Sequence, residues 1–332
     1  MARVLSLAEA EERVARIFEQ GGASTDAARS VARALVGAEA DGLKGHGLSR
    51  IPTYLAMLKS GKIDGSAEPR VTQPRPGMLA IDAACGFAYP AIDIAIERLP
   101  ALARQQGIAA ASISRSNHAG ACGRHVERLA EQSLVALFFA NTPEAIAPWG
   151  GTRAVFGTNP IAFAAPLDGR SPIIIDLALS KVARGNIVAA KQKGEQIPEG
   201  WALDKEGRPT TDVDAAIAGT MIALGDAKGA ALALMVEVFS AALVGTHFAF
   251  EASSFLDDKG GPPQTGQLII AIDPAGLGHS SFGERMRVLA QAIESQQGAR
   301  LPGTRRLVLR QKAEREGLSV PDEIWRMLQP SS

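Results

Sequence analysis

The chain has 332 residues, 46% of them hydrophobic, with 35 basic and 35 acidic side chains that cancel to zero net charge. The length suffices for a large core in one unit or two domains, and the charge balance removes any electrostatic case for nucleic acid or an anionic membrane as a partner. The only two cysteines, Cys85 and Cys122, exclude a disulfide framework and a multi-cysteine zinc site.

Met1-Ala2-Arg3-Val4-Leu5 carries one charge and no long apolar run, so no signal peptide is expected and the compartment expected is the cytoplasm. Ser6 with Glu9 predicts a capping box, and a helix runs from there to Gln20 before Gly21-Gly22. A second helix spans Thr25 to Glu39 and a third Leu48 to Lys59, with Pro52 tolerated in its first turn. Pro69 to Gly77 reads as an extended linker and Met78 to Asp82 as the first strand. Tyr89 to Gln106 is a helix that Pro100 should kink or divide. Strands follow at Ile108 to Ile113 and Leu134 to Ala140, with a helix from Arg124 to Gln132 between them. Further strands are read at Ile161 to Ala165, Ile173 to Asp176 and Leu268 to Ile272. Ala215 to Gly245 reads as mostly helical with a break at Gly225 to Gly229, and helices return from Ser281 to Gln297 and near the C-terminus. Apolar runs such as Leu134 to Ala140 are too short to span a bilayer, and the longer Ala230 to Val244 stretch carries Glu237.

Asp41-Gly42-Leu43-Lys44-Gly45-His46-Gly47-Leu48-Ser49-Arg50 links the second and third helices. Gly45 and Gly47 clear bulk on both sides of an imidazole able to give or accept a proton. Arg50, one turn beyond, is placed to hold a carboxylate. The alternative is a surface loop with a solvated arginine. The turn from Ser116 to Gly123 contains His118 and precedes a helix, so its backbone N–H groups suit a phosphate, or it is an ordinary strand-to-helix turn. His125 reads as structural. Gly157-Thr158-Asn159-Pro160 suits polar recognition or is simply a turn. Asp176 holds a ribose or caps the next segment, and Lys228-Gly229 reaches a phosphate or is solvated. No H-E-x-x-H, G-x-G-x-x-G or P-loop pattern occurs, so no metal is expected, and a dinucleotide would not be held by the usual Rossmann fingerprint.

These segments together resemble the malate/L-lactate dehydrogenase type-2 family of NAD(P)-dependent oxidoreductases, over nearly the whole chain. The carriers are Gly45 to Pro52, Ser116 to Gly123, Ala147-Pro148-Trp149-Gly150-Gly151, Phe156 to Pro160, Pro198 to Asp204 and Gly266-Gln267. The resemblance implies an α/β (α+β), non-Rossmann fold. A mixed, largely antiparallel sheet domain over 76–279 would hold the dinucleotide, beside a helical domain built from 1–75 together with 280–332, in a homodimer. It places the proton donor on His46, the carboxylate-binding arginine on Arg50 and a substrate-contacting threonine on Thr158. Cofactor contacts for NADP(H) or NAD(H) fall on His118, Ala119, Gly120, Ala121, Cys122, Asp176, Leu177, Ala178, Arg184, Gly185, Lys228, Gly229, Pro302, Gly303, Thr304, Arg305 and Arg306.

Members divide between 2-hydroxy-acid dehydrogenases and reductases of cyclic imino acids. The sequences around Gly47 to Arg50 and Trp149 look more like the second group. The expected substrate is therefore a small imino acid, Δ1-pyrroline-2-carboxylate or Δ1-piperideine-2-carboxylate, reduced to L-proline or L-pipecolate. A 2-oxo/2-hydroxy acid pair is the alternative, and a dinucleotide-binding protein without turnover is the alternative from another class. Two positions depart from the imino-acid reductases: Gly45 stands where a serine precedes the histidine, and Asn186 where an aspartate joins it in a relay.

Overall fold

The computed structural model describes residues 3–278 and 280–329; residues 1, 2, 279 and 330–332, at the ends and junction of the expected domains, lie outside the described residues. Strand β1 (Val4–Leu5) leads into helix α1 (Leu7–Gln20), whose Glu9 amide donates to the Ser6 hydroxyl at 3.2 Å while Ser6 N–H donates to the Glu9 carboxylate at 3.0 Å. This is the reciprocal cap that the spacing predicts. Helix α2 (Thr25–Ala40) follows, then two single 3-10 turns, Lys44–His46 and Leu48–Arg50, and α3 (Ile51–Ser60). The helix expected to start at Leu48 opens as a 3-10 turn because Pro52 has no N–H to offer the Leu48 carbonyl, which accepts from Ile51 instead.

The stretch expected to be a linker is strand β2 (Arg70–Arg75), paired antiparallel with β3 (Met78–Asp82). Pro74 is tolerated there because β2 is an edge strand with a register shift between Thr72 and Arg75. Helix α4 (Ala88–Gln106) runs through Pro100 undivided, with Ile92, Ile96, Leu99 and Ala103 buried. Then come β4 (Ile108–Ser116), α5 (Cys122–Ala130), β5 (Val135–Ala140), β6 (Ile161–Leu167) and β7 (Arg170–Leu177). Helix α6 (Arg184–Lys193), small strands β8 (Ala202–Leu203) and β9 (Pro209–Thr210), α7 (Val213–Ala218) and β10 (Thr220–Met221) precede α8 (Ala227–Glu237). The helical break expected at Gly225 to Gly229 therefore begins earlier, at Gly219, and Lys228-Gly229 lies in the first turn of α8. Asp226 at φ 58 and Gly225 at φ 67 turn the chain into that helix. Strand β11 (Thr265–Ile272), α9 (Phe282–Glu294), α10 (Thr304–Glu316), β12 (Leu318–Ser319) and α11 (Asp322–Met327) complete the chain.

The main sheet has the order β2-β3-β4-β11-β5-β6-β7. Only β3 and β4 run parallel; the other five pairings are antiparallel. One face packs on α4 and α5 through Ile81, Ile113, Phe138 and Ile269, and the other packs on α6 and α8 through Phe139 and Leu268. A separate core joins Val14, Phe18, Leu35, Leu48 and Met57 to Leu318 and Ile324 from the C-terminal segment. Phe87 and Tyr89 at the start of α4 belong to that helical core, so the site residues between α2 and α3 are seated against the sheet. No described helix is long and apolar enough to cross a membrane.

Candidate active site

Glu39, buried at the end of α2, organises the His46 loop: its carboxylate accepts from Leu48 N at 3.0 Å and from Lys44 Nζ at 2.9 Å. A Cβ on Gly47 would run into that carboxylate and into the Glu39 backbone. Gly47 is thus required by packing on Glu39, which corrects the expectation that both glycines open a path for a ligand; a Cβ on Gly45 would meet nothing.

The His46 ring stacks on His118 with centroids 5.2 Å apart and planes 18° apart. His118 Nδ1 lies 2.6 Å from the Tyr54 hydroxyl, itself 3.0 Å from the Tyr89 hydroxyl, and the Phe255 ring stands 5.3 Å from His118. His46 Nδ1 is buried and has no hydrogen-bond partner. Arg50 Nε donates to the Gly45 carbonyl at 2.8 Å and Nη1 to the Phe255 carbonyl at 3.3 Å, which leaves Nη2 without an acceptor among the described residues.

Thr158 is fixed by its own backbone: its N–H donates to Thr142 Oγ1 at 2.8 Å and its carbonyl accepts from Leu179 N at 2.7 Å. The two threonine hydroxyls are 3.2 Å apart. Asn159, at φ 41, donates from Nδ2 to the buried Glu237 carboxylate at 2.8 Å, and Glu237 also accepts from Ala249 N at 3.2 Å. Burial raises the Glu237 carboxyl above its ordinary value, with the Asn159 bond opposing.

Asp176, at the end of β7, accepts from Gly123 N at 2.9 Å and from Arg306 Nη1 at 3.2 Å. It thereby brings the His118–Cys122 turn and the Pro302–Arg306 turn to the end of the strand, where Leu177 closes it and Ala178 follows. Gly120, at φ 67, faces Tyr89 so closely that a Cβ would lie 2.6 Å from its hydroxyl, and His125 Nε2 is 2.8 Å from the Ala119 carbonyl. Beside Arg306 opens a cavity of about 500 Å³ lined by Asp41, Gly42 and Leu43 on one side and by Arg300, Pro302, Gly303, Thr304 and Arg305 on the other. Arg184 and Gly185 begin α6, where Arg184 Nη1 donates to the Glu144 carbonyl at 3.2 Å. Lys228 is exposed, and Gly229 is held bare by the Leu224 carbonyl. Asn186 is exposed in the first turn of α6 and makes no hydrogen bond to His46.

Burial and then the Arg50 charge push His46 from 6.5 down to about 4, against a weaker pull from Asp176. Burial also takes His125 to about 4 and His118 well below its ordinary value. All three rings are therefore neutral at pH 7. Each takes up a proton in the unfolded chain below 6.5 but not in the folded one, so its contribution to stability is complete above 6.5 and is lost as pH falls below it, toward about 4 for His46 and His125. Each ring can remove at most about 1.4 kcal/mol per pH unit inside that window. The melting temperature should hold steady above neutrality and fall between about pH 6.5 and 5, above the range of an ordinary carboxylate. A flat profile there would show the rings to be protonated in the fold.

Tyr54, Tyr89, Phe255, Glu39 and Glu237 were not found by sequence reasoning. Glu237 alone left a signal, as a lone acid in the apolar stretch from Ala230 to Val244. Tyr54 lies 64 residues from the histidine it meets, and no local pattern marks the pair.

The mixed sheet is not of the Rossmann kind, and His46 stacks on His118 beside the Arg50 charge, an arrangement suited to proton transfer next to a bound anion. A sequence model of the malate/L-lactate dehydrogenase family matches residues 5–329, and the chain belongs to that family of NAD(P)-dependent oxidoreductases. It is 52% identical over 98% of its length to a (2R)-3-sulfolactate dehydrogenase (NADP(+)) of Chromohalobacter salexigens, covering 96% of that protein. It is 42% identical over 92% of its length to a Δ1-pyrroline-2-carboxylate/Δ1-piperideine-2-carboxylate reductase of Pseudomonas putida, covering 90% of it. The crystal structure of a Δ1-piperideine-2-carboxylate reductase from Pseudomonas syringae pvar. tomato superposes with a TM-score of 0.94 at 36% identity, covering 98% of this chain and 99% of that one.

Proposed function

We propose that the chain oxidises a small 2-hydroxy acid, and reduces the matching 2-oxo acid, with NADP(H) as the preferred cofactor and NAD(H) as the weaker one. The observation that carries this reading is the neutral His46 ring, whose buried Nδ1 has no partner and whose proton affinity is held down by burial and then by the Arg50 charge. Such a nitrogen is ready to accept the hydroxyl proton of an alcohol. The 52% identity to a sulfolactate dehydrogenase supports the same choice. Cyclic imino-acid reduction is the second reading, favoured by the likeness to the Pseudomonas reductases. There a protonated imine brings its own proton, so a neutral His46 is no obstacle.

The cofactor site proposed is the turn before α5, the end of β7, the starts of α6 and α8 and the Pro302–Arg306 turn. Its fit is supported by the cavity beside Arg300, Arg305 and Arg306, where guanidinium groups suit a phosphate. When bound, the nicotinamide accepts or supplies the hydride at C2 of the acid. Arg50 grips the substrate carboxylate through its free Nη2, and Thr158 offers a hydroxyl to the 2-substituent. A bound carboxylate also offsets the Arg50 charge, which raises the proton affinity of His46 at the step where it must take the proton up.

Arg50→Lys should raise the KM of the acid by about tenfold or more with little change in cofactor KM, since an ammonium lacks the planar fork. Arg305→Ala should raise the KM of NADPH by about tenfold and leave NADH unchanged, if its guanidinium meets the phosphate that distinguishes the two. Steady-state kinetics with each cofactor checks both. The reading itself is tested by following nicotinamide absorbance with NADP+ and 3-sulfolactate or lactate, beside NADPH and Δ1-pyrroline-2-carboxylate. Turnover confined to the hydroxy acids supports the first reading, and turnover confined to the imine replaces it with the second. Cofactor binding without turnover on either would mean a retired enzyme.

A homodimer is part of the proposal. Leu234, Val238, Leu243 and Phe250 are 43–66% exposed on and after α8, an apolar face that association would cover. A helical domain from 1–75 with 280–332 around 76–279 draws support from the core that Leu5 to Ile63 share with Ala313 to Leu328, whereas Ala290 and Leu301 pack on Leu167 and Ile173 of the sheet. Cytoplasmic residence is supported by free cysteines at Cys85 and Cys122.

A further inference from the structure

Residues 253 to 262 pass Arg50 and His118 with no helix or strand, and no backbone–backbone hydrogen bond forms within that segment among the described residues. Its order comes from side chains. Ser253 Oγ donates to the Gly261 carbonyl at 2.6 Å, and Leu256 N and Lys259 N donate to Ser254 Oγ and Asp257 Oδ1. The largest single hold comes from outside. Lys62, just past α3, has a side chain with no exposed surface, and its ammonium donates to the carbonyls of Ser254 at 2.7 Å, Asp257 at 3.0 Å and Lys259 at 2.7 Å.

An ammonium has three N–H donors, and here each has its own acceptor. Asp257 Oδ1 lies 3.7 Å away and balances the charge. Burying a lysine is costly unless it is fully bonded and paired, and an apolar side chain of the same volume would fill the space without that cost. What an apolar residue could not do is pin three carbonyls of one turn to a single point. The residue so pinned between Ser254 and Asp257 is Phe255. Its ring stands against His118, and its carbonyl is the acceptor that holds Arg50 Nη1.

We propose that Lys62 is a positioning residue for substrate recognition. Through the 254–259 turn it fixes the Phe255 carbonyl, and through that carbonyl it sets the direction in which Arg50 presents its free Nη2 to the substrate carboxylate. The inference rests on the proposed role of Arg50. Without the ammonium the turn loses three of its anchors, Arg50 keeps only its bond to Gly45, and the guanidinium samples orientations that do not meet the carboxylate.

The test is the kinetics of Lys62→Met and Lys62→Gln, on whichever acid the native enzyme turns over, beside hydrogen–deuterium exchange of the 253–262 segment. In Lys62→Met the KM of the acid should rise about tenfold while kcat and the cofactor KM stay within about twofold. Lys62→Gln, which keeps two donors, should show about a threefold rise, and it serves as the deciding variant if Lys62→Met does not fold. In an Arg50→Lys background, where nothing rests on the Phe255 carbonyl in the same way, Lys62→Met should add less than about twofold. A purely structural role predicts instead the same multiplicative effect in both backgrounds. Unchanged KM in the single variants, or equal effects in the two backgrounds, overturns the inference and leaves the proposed function standing. A native enzyme silent on both substrate classes overturns the proposed function instead. In that case exchange at Phe255 and Leu256 decides, since rates unchanged in the Lys62 variants would show that the lysine does not hold the turn.

Discussion

His46→Asn should lower kcat by about a thousandfold, the middle of the range for loss of a general acid–base, with the KM of the acid changed by less than about threefold. Asparagine keeps a polar group in the loop but cannot carry the proton between substrate and solvent. The neighbouring imidazole cannot stand in. His118 has its Nδ1 occupied by Tyr54, whereas that of His46 has no partner. Arg50 and Thr158 keep their own anchors, on Gly45 and on Thr142, so substrate should still bind. Single-turnover kinetics with bound cofactor checks this. Turnover within tenfold of the native enzyme would remove His46 from the chemistry and turn attention to a proton carried by the substrate itself.

Arg310→Met should cost about 3–5 kcal/mol, the range for breaking a buried ion pair from one side. Arg310 makes paired bonds to two carboxylates. Nε and Nη2 donate to Asp41 at 2.7 and 3.0 Å, and Nη1 and Nη2 donate to Glu127 at 2.8 and 2.7 Å. Burial alone would depress the guanidinium, but these partners outweigh it and raise its proton affinity above the ordinary arginine value. Asp41 and Glu127 are 1% and 6% exposed, so removing Arg310 strands two charges out of water. Arg124 also reaches Asp41 at 3.0 Å and places the expected loss toward the lower end. In a chain of this size that corresponds to a fall of about 5 °C in melting temperature, and Asp41→Asn in the same protein should restore part of it. A fall under about 2 °C would mean that water already reaches the pair. The consequence extends to function, because α10 also carries Arg305 and Arg306 and Asp41 lines the adjoining cavity.

Local signals were legible where the chemistry is local. Ser6 and Glu9 cap α1 within one turn, and Arg50 folds back on the Gly45 carbonyl within six residues. The family resemblance carried the rest of the family assignment. The 70–75 strand escaped because Pro69, Pro74 and Pro76 imitate a linker, and only pairing with β3 turns that extension into sheet. Helix α6 escaped because it is polar and buries only Ile187, so no apolar period announces it. Gly47 was read as room for a ligand, whereas the side chain that fills the room is Glu39, eight residues back on another element. Tyr54 on His118 and Phe255 on Arg50 are meetings of side chains far apart in sequence, set by how α3 and the 253–262 segment pack rather than by any motif.

Strand β1 finds its partner at the other end of the chain, with Val4 opposite Ser319 and Leu5 opposite Leu318. During synthesis, α1 to α3 therefore leave the ribosome long before the residues that close their core, and must wait with an open apolar flank. The sheet waits in the same way, because β4 and β5 are joined only through β11, which lies far downstream of both. The core beneath the His46 loop is thus closed by residues made far downstream of α1.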